Sequence, residues 1–66
     1  MYRIEAQQKG KHRVATSGWI SSLEEINWWA QKYAQRDPST IYHVCKENPC
    51  GVETFVLYSY NRESVC

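Results

Sequence analysis

No apolar run in this 66-residue chain approaches the ~20 residues that a membrane-spanning helix needs. The stretch from Met1 to Gln8 alternates polar and apolar residues, so it lacks the continuous apolar core of a secretory signal. Strong net charge is also missing: eight Lys and Arg face seven Asp and Glu, leaving +1 with histidine neutral. That balance excludes a broadly basic protein. Low-complexity tracts and internal repeats are absent as well. Three cysteines cannot all pair within one chain, and without a secretory signal the expectation is reduced thiols in a cytoplasm.

Catalytic patterns are scarce in the same way. The chain has no phosphate-cradling glycine loop, no paired-carboxylate constellation and no nucleophile elbow. Potential metal ligands exist at His12, His43, Cys45, Cys50 and Cys66. Structural zinc, however, draws on two close ligand pairs, and no second pair follows Cys45 and Cys50. A disulfide between those two would cross a turn in which each has another register partner, an awkward geometry. His43 and Cys45 fall on one side of a strand, but a thiol nucleophile also needs a base and a group that stabilises the electrophile. A half-buried histidine beside a small apolar residue is the expectation there. So short a chain has little material for an enclosed pocket. The reading is therefore a protein with no enzymatic activity, no catalytic residue, no metal and no cofactor.

Aromatic residues are plentiful: three Trp, five Tyr and one Phe. Together with the low net charge they argue against disorder. The length allows one domain, drawn here as 1–60, with an unpatterned C-terminal tail over 61–66 that is expected to fray. In the first segment Tyr2, Ile4 and Ala6 alternate with Arg3, Glu5 and Gln7. In the second, His12, Val14 and Thr16 alternate with Arg13 and Ala15. A loop at Gln8-Lys9-Gly10, with Gly10 left-handed, makes these a bulged hairpin. That register sets Ile4 against Val14, Tyr2 against Thr16 and Glu5 against Arg13, and Gly18 ends the second strand. A second hairpin follows the helix, with strands over Ser39–Lys46 and Val52–Tyr60 about an Asn48-Pro49-Cys50-Gly51 turn. Its register puts Val44 by Phe55, Tyr42 by Leu57 and Lys46 by Glu53.

The helix begins at a capping box, Ser22-Leu23-Glu24-Glu25, in which the Ser22 hydroxyl and the Glu25 carboxylate satisfy reciprocal backbone donors. Glu24 and Glu25 favour the positive end of the helix dipole, and Pro38 closes the helix. With about 3.6 residues per turn, Leu23, Ile26, Ala30, Tyr33 and Ala34 form one stripe. Trp29 falls at its edge. Trp28 falls on the far side, among Glu24, Gln31, Lys32 and Gln35, where folding alone does not account for an indole. A cation–π contact with Lys32 is the intramolecular alternative.

The order β-β-α-β-β implies an α+β domain: a four-stranded, mainly antiparallel sheet with one helix packed on one face. Ile4, Val14, Val44, Phe55 and Leu57 are expected beneath the helix. Ile41, His43, Val56, Tyr58 and Tyr60 are left on the uncovered face, more apolar surface than a soluble monomer usually exposes. A homodimer is expected to cover it, through either that face or the Trp28 side of the helix.

The functional expectation is a protein-interaction module, acting through Trp28, Trp29 and Lys32 with Tyr58 and Tyr60, since exposed Trp and Tyr are typical anchors of protein contacts. A small chain of this style fits a phage or mobile-element accessory protein or inhibitor that occupies a host protein. Nucleic-acid binding is the alternative. Residues 1–36 carry a charge of +3 and residues 37–66 carry −2. Arg3, Lys11 and Arg13 share the outward face of the first hairpin with Lys9 at its tip, where they could track phosphates, while the strand tyrosines could stack on bases.

Overall fold

The computed structural model describes residues 1–51 and 53–61. The expected tail over 61–66 therefore lies outside the described residues except for Asn61. The elements are β1 (Tyr2–Gln8), β2 (Val14–Ala15), α1 (Leu23–Arg36), β3 (Thr40–Lys46) and β4 (Phe55–Tyr60). They form an antiparallel open sheet in the order β2-β1-β3-β4, with α1 packed on one face: the α+β architecture that the sequence implies. No helix among the described residues is long and apolar enough to cross a membrane.

Helix α1 starts where Ser22, in an extended conformation, accepts the Glu25 N–H on its hydroxyl at 3.3 Å. This supplies one of the donors that a helix N-terminus leaves free. At the other end the Asp37 N–H donates to Tyr33 O at 3.0 Å. The Asp37 carboxylate then accepts from the Thr40 hydroxyl at 2.8 Å and from the hydroxyl and N–H of Ser39 at 2.8 and 3.3 Å. Those bonds, Thr40's foremost, hold its carboxyl below the usual range and aim the chain into β3. The expected stripe is the one that packs: Ile26, Ala30 and Ala34 are buried. Ile26 and Ala30 meet Ile4 and Val44, with Tyr2, Ile20, Leu23, Tyr33, Tyr42 and Tyr60 around them.

Both hairpin registers differ from the expected ones. In the first, Glu5 pairs with Ala15 and Ala6 with Val14, a slip of two residues. An even slip keeps each side chain on its face. Gly10 is left-handed as expected, with φ 76°. The slip follows the turn, which closes from Lys11 N–H to Gln8 O at 3.0 Å, while the other edge of β1 pairs with β3 along its whole length, from Tyr2 by Lys46 to Gln8 by Thr40. Nor does Gly18 end the pairing. Ser17 Oγ takes the Ile4 N–H at 2.8 Å, and Tyr2 and Ile20 then exchange backbone bonds of 2.8 and 2.7 Å. Val14 is not beneath the helix: it is 64% exposed and lines a cleft of about 530 Å³ with Ala6 and Tyr42, beside the helix end at Asp37.

In the second hairpin, Val44 pairs with Tyr58, Tyr42 with Tyr60 and His43 with Ser59, whereas Cys45 pairs with Val56 and Lys46 with Phe55. Leu57 is the extra residue of a bulge. The Asn48–Gly51 turn does form, with Gly51 N–H to Asn48 O at 3.4 Å and Cys50 N–H to Asn48 Oδ1 at 3.1 Å. It opens a longer connection rather than joining the strands directly. Beyond the bulge the alternation is reversed, so Tyr58 and Tyr60 share the face of Val44 and Tyr42. Tyr60, not Phe55 or Leu57, completes the core. Phe55 is 55% exposed and Leu57 is exposed too.

This arrangement sets an expected order of stabilities. Tyr60→Ala removes packing and the hydroxyl bond to Asn27 and should cost about 2 kcal/mol in urea unfolding. Phe55→Ala should stay within about 0.5 kcal/mol of the parent. The reverse order would restore the register read from the sequence.

Candidate interaction surface

Trp28 and Trp29 project from adjacent positions of α1. Their rings meet edge-to-face at 4.8 Å and 84°. Trp29 continues to Tyr33 at 6.0 Å, and Tyr33 to Tyr42 of β3 at 5.7 Å. The Tyr42 hydroxyl lies 3.5 Å from Asp37 Oδ2. Burial of Tyr42 and the negative Asp37 both push that phenol up from its ordinary value, so it stays a protonated donor. The outer indole is thus fastened, ring by ring, to the sheet. On its other side Lys32 Nζ sits 5.4 Å from the Trp28 ring, the cation–π contact that the spacing allows. Such contacts are worth about 0.5–1 kcal/mol each at exposed sites. They orient the indole without burying it, and Trp28 remains 51% exposed.

The two strand tyrosines do not join Ile41 and Val56 on one uncovered face. Tyr60 is half-buried in the core, and its hydroxyl donates to Asn27 Oδ1 at 3.2 Å. Tyr58 is exposed on the same side of β4. The odd slip beyond Leu57 is the reason.

The face opposite the helix carries a polar cluster instead. Glu5 is buried there. It accepts from Arg3 Nε at 2.9 Å and from the Thr54 hydroxyl at 2.8 Å, and it faces Arg13 Nε at 3.6 Å. Burial alone would raise its pKa. The bonds from Thr54 and Arg3 and the charges of Arg3 and Arg13 outweigh that and hold the carboxyl below its usual range. Arg3 also lies over the Trp19 ring at 4.6 Å. Sequence reasoning paired Glu5 with Arg13 but missed Thr54, whose contact spans 49 positions and leaves no local signal.

Of the four basic residues of the first hairpin, Arg3 and Arg13 are therefore engaged with Glu5, while Lys9 and Lys11 stand exposed at the tip. Beneath Arg13, Cys45 is fully buried. Its thiol donates to His43 O at 3.8 Å, and Arg13 Nη1 lies 4.0 Å from the sulfur. Burial pushes this thiol up. His43 uses both ring nitrogens elsewhere, Nδ1 with Ser59 Oγ at 2.7 Å and Nε2 with Gln7 Oε1 at 2.9 Å. Burial and the Arg13 charge lower its pKa, so the ring is neutral near pH 7. The imidazole and thiol share a strand face without forming a proton-transfer pair. Cys45 and Cys50 are both free thiols, and no group of three or more potential metal ligands gathers among the described residues. Cys66 lies outside the described residues.

No family model matches the chain, and no curated protein or solved structure matches it either.

The Glu5 cluster makes stability depend on pH in a definite direction. A carboxyl whose pKa is lower when folded contributes stability that is complete above its ordinary, unfolded pKa. That contribution drains as the pH falls from there through the folded value. Glu5→Gln should cost about 2 kcal/mol at neutral pH and flatten the acid limb of a stability–pH curve measured by urea unfolding. An acid limb as steep as the parent's would show that Glu5 is not the group that titrates.

Proposed function

We propose that this protein is a non-enzymatic protein-interaction module whose partner docks on Trp28, with Trp29 and the Lys32 stem at the margin. One observation carries the reading: an indole half open to water is held in a fixed orientation by an aromatic chain reaching down to β3. Ordering a large side chain before contact removes part of the entropic cost of association, and Trp is among the residues enriched at the energetic anchors of interfaces. The reduced thiols suit a cytoplasmic setting, and the mode of action is occupancy of a host protein's surface, as an inhibitor or phage-type accessory protein would act. The neutral imidazole and the buried, protonated thiol support a non-catalytic role.

Nucleic-acid binding by Arg3, Lys9, Lys11 and Arg13 has weaker support, because two of the four spend their charge on Glu5. Self-association is part of the proposal, since so small a core gains from a second copy.

In the decisive experiment, parent and Trp28→Ala chains serve as baits in the same cell lysate, with circular dichroism confirming that both fold. A partner held by the parent should be lost, or weakened roughly a hundredfold, with Trp28→Ala. Equal capture by both baits would remove the basis of the reading. Binding that instead falls steeply with salt, and is abolished by Lys9→Glu with Lys11→Glu at the exposed hairpin tip, would favour nucleic acid.

A further inference from the structure

The surface of β4 is apolar in a way that neither the core nor the Trp28 platform explains. β4 is the outermost strand on its side of the sheet, and no strand among the described residues pairs with its outer edge. Its six residues, Phe-Val-Leu-Tyr-Ser-Tyr, include no charge and no proline. Phe55, Val56, Leu57 and Tyr58 are each about half exposed. Exposed edges are normally blunted by charges, prolines or brevity, because their free N–H and C=O groups template pairing with another chain. The opposite edge follows that rule: β2 has only two residues. The bulge at Leu57 bends β4 but leaves three residues on its far side.

We infer that β4 pairs antiparallel with β4 of a second copy of this chain about a two-fold axis, extending two four-stranded sheets into one of eight strands. This rests on the self-association proposed above and names its surface. Charge favours a second copy as the occupant. A strand with no charge offers nothing for a foreign partner to recognise by sign, whereas its own copy brings six uncharged residues and buries no unpaired ion. The two-fold arrangement is self-complementary, so both outer edges are satisfied at once. Size sets the strength. Aromatic side chains bury about 150–250 Å² each when fully covered, so these half-exposed residues offer on the order of 300–400 Å² per chain. That is below the roughly 800 Å² per partner of a standard stable interface. The dimer is therefore weak and concentration-dependent.

The test is sedimentation equilibrium of the full chain from low micromolar to near-millimolar concentration, with amide hydrogen exchange over the same range. The expected result is a mass rising from 7.8 kDa toward twice that value, together with exchange at Phe55–Tyr60 that slows as concentration increases. Phe55→Lys with Tyr58→Lys should weaken dimerisation at least tenfold, since like charges then face each other across the two-fold. Circular dichroism would confirm that this variant folds, and Val14→Lys on the other edge should dimerise like the parent. A parent that stays monomeric throughout overturns both this inference and the self-association proposal. A dimer that survives the β4 lysines overturns the inference alone. So does a dimer that Trp28→Ala abolishes, which would place the contact on the helix, or one that forms only after residues 62–66 are removed, which would make the chain's own tail the occupant. Failure of the Trp28 reading is separate, because it is read from partner capture and not from mass.

Discussion

A single 14-residue helix, on the order of 20 Å long, has to dry a four-stranded sheet, and it can cover only the middle of one face. The remainder of the molecule follows from that shortage. Beneath the helix the two central strands contribute Ile4 and Val44, the helix contributes Ile26 and Ala30, and partly exposed tyrosines close the perimeter. Alanine on α1 lets the helix approach the sheet closely, but it adds little apolar area. The tyrosines of the perimeter are amphipathic, each with an apolar ring for the core and a hydroxyl for the rim. Tyr60 and Tyr42 show this directly, with their hydroxyls at Asn27 and Asp37.

The face without a helix meets the same shortage in another way. Hydrophobic side chains there would need a cover that no element among the described residues supplies, and the centre of that face is built from mutually satisfied polar groups. Glu5 gathers Arg3, Arg13 and Thr54, and the guanidinium groups of Arg13 and Arg3 reach the Cys45 sulfur and the Trp19 ring. A buried carboxylate is costly unless it is paired and hydrogen-bonded, and here both conditions are met from three separate segments of the chain. The same economy leaves His43 held neutral between Gln7 and Ser59. Two arginines that a linear reading assigns to an open basic patch are in this way part of the internal architecture.

What remains outside this scheme is the surface available to other molecules. The indole of Trp28 is positioned by Trp29 and Lys32, yet half of it faces water. At one edge of the sheet, β4 carries no charged residue. The two features lie on different elements, α1 and β4.

Much of this was legible in the linear chain, wherever the information is local. Ser22, the paired glutamates and Pro38 delimit the helix because caps and proline act within a turn or two. The helical phase separates Ile26, Ala30 and Ala34 from Trp28 because 100° per residue is a property of the backbone alone. Gly10 is left-handed because a tight hairpin demands it there. Strand register is another matter. The first hairpin slipped by two because its turn closes from Gln8 to Lys11 and the chain beyond is held to β1 through Thr16, Ser17 and Ile20, well past the loop. The second reversed its alternation at Leu57 because a bulge depends on how the whole ladder closes, and no residue type at that point announces it. That reversal moved Tyr60 into the core, while an even shift ahead of it left Phe55 by Lys46 at the end of the strand pair. The Glu5 cluster escaped for the same reason, since its Thr54 contact exists only once β4 has been laid beside β3 and β3 beside β1. Local chemistry settled which elements form and which way they face at their ends. Which side chains meet across the sheet was decided by long-range hydrogen-bond pairing, where a shift of one residue exchanges inside for outside.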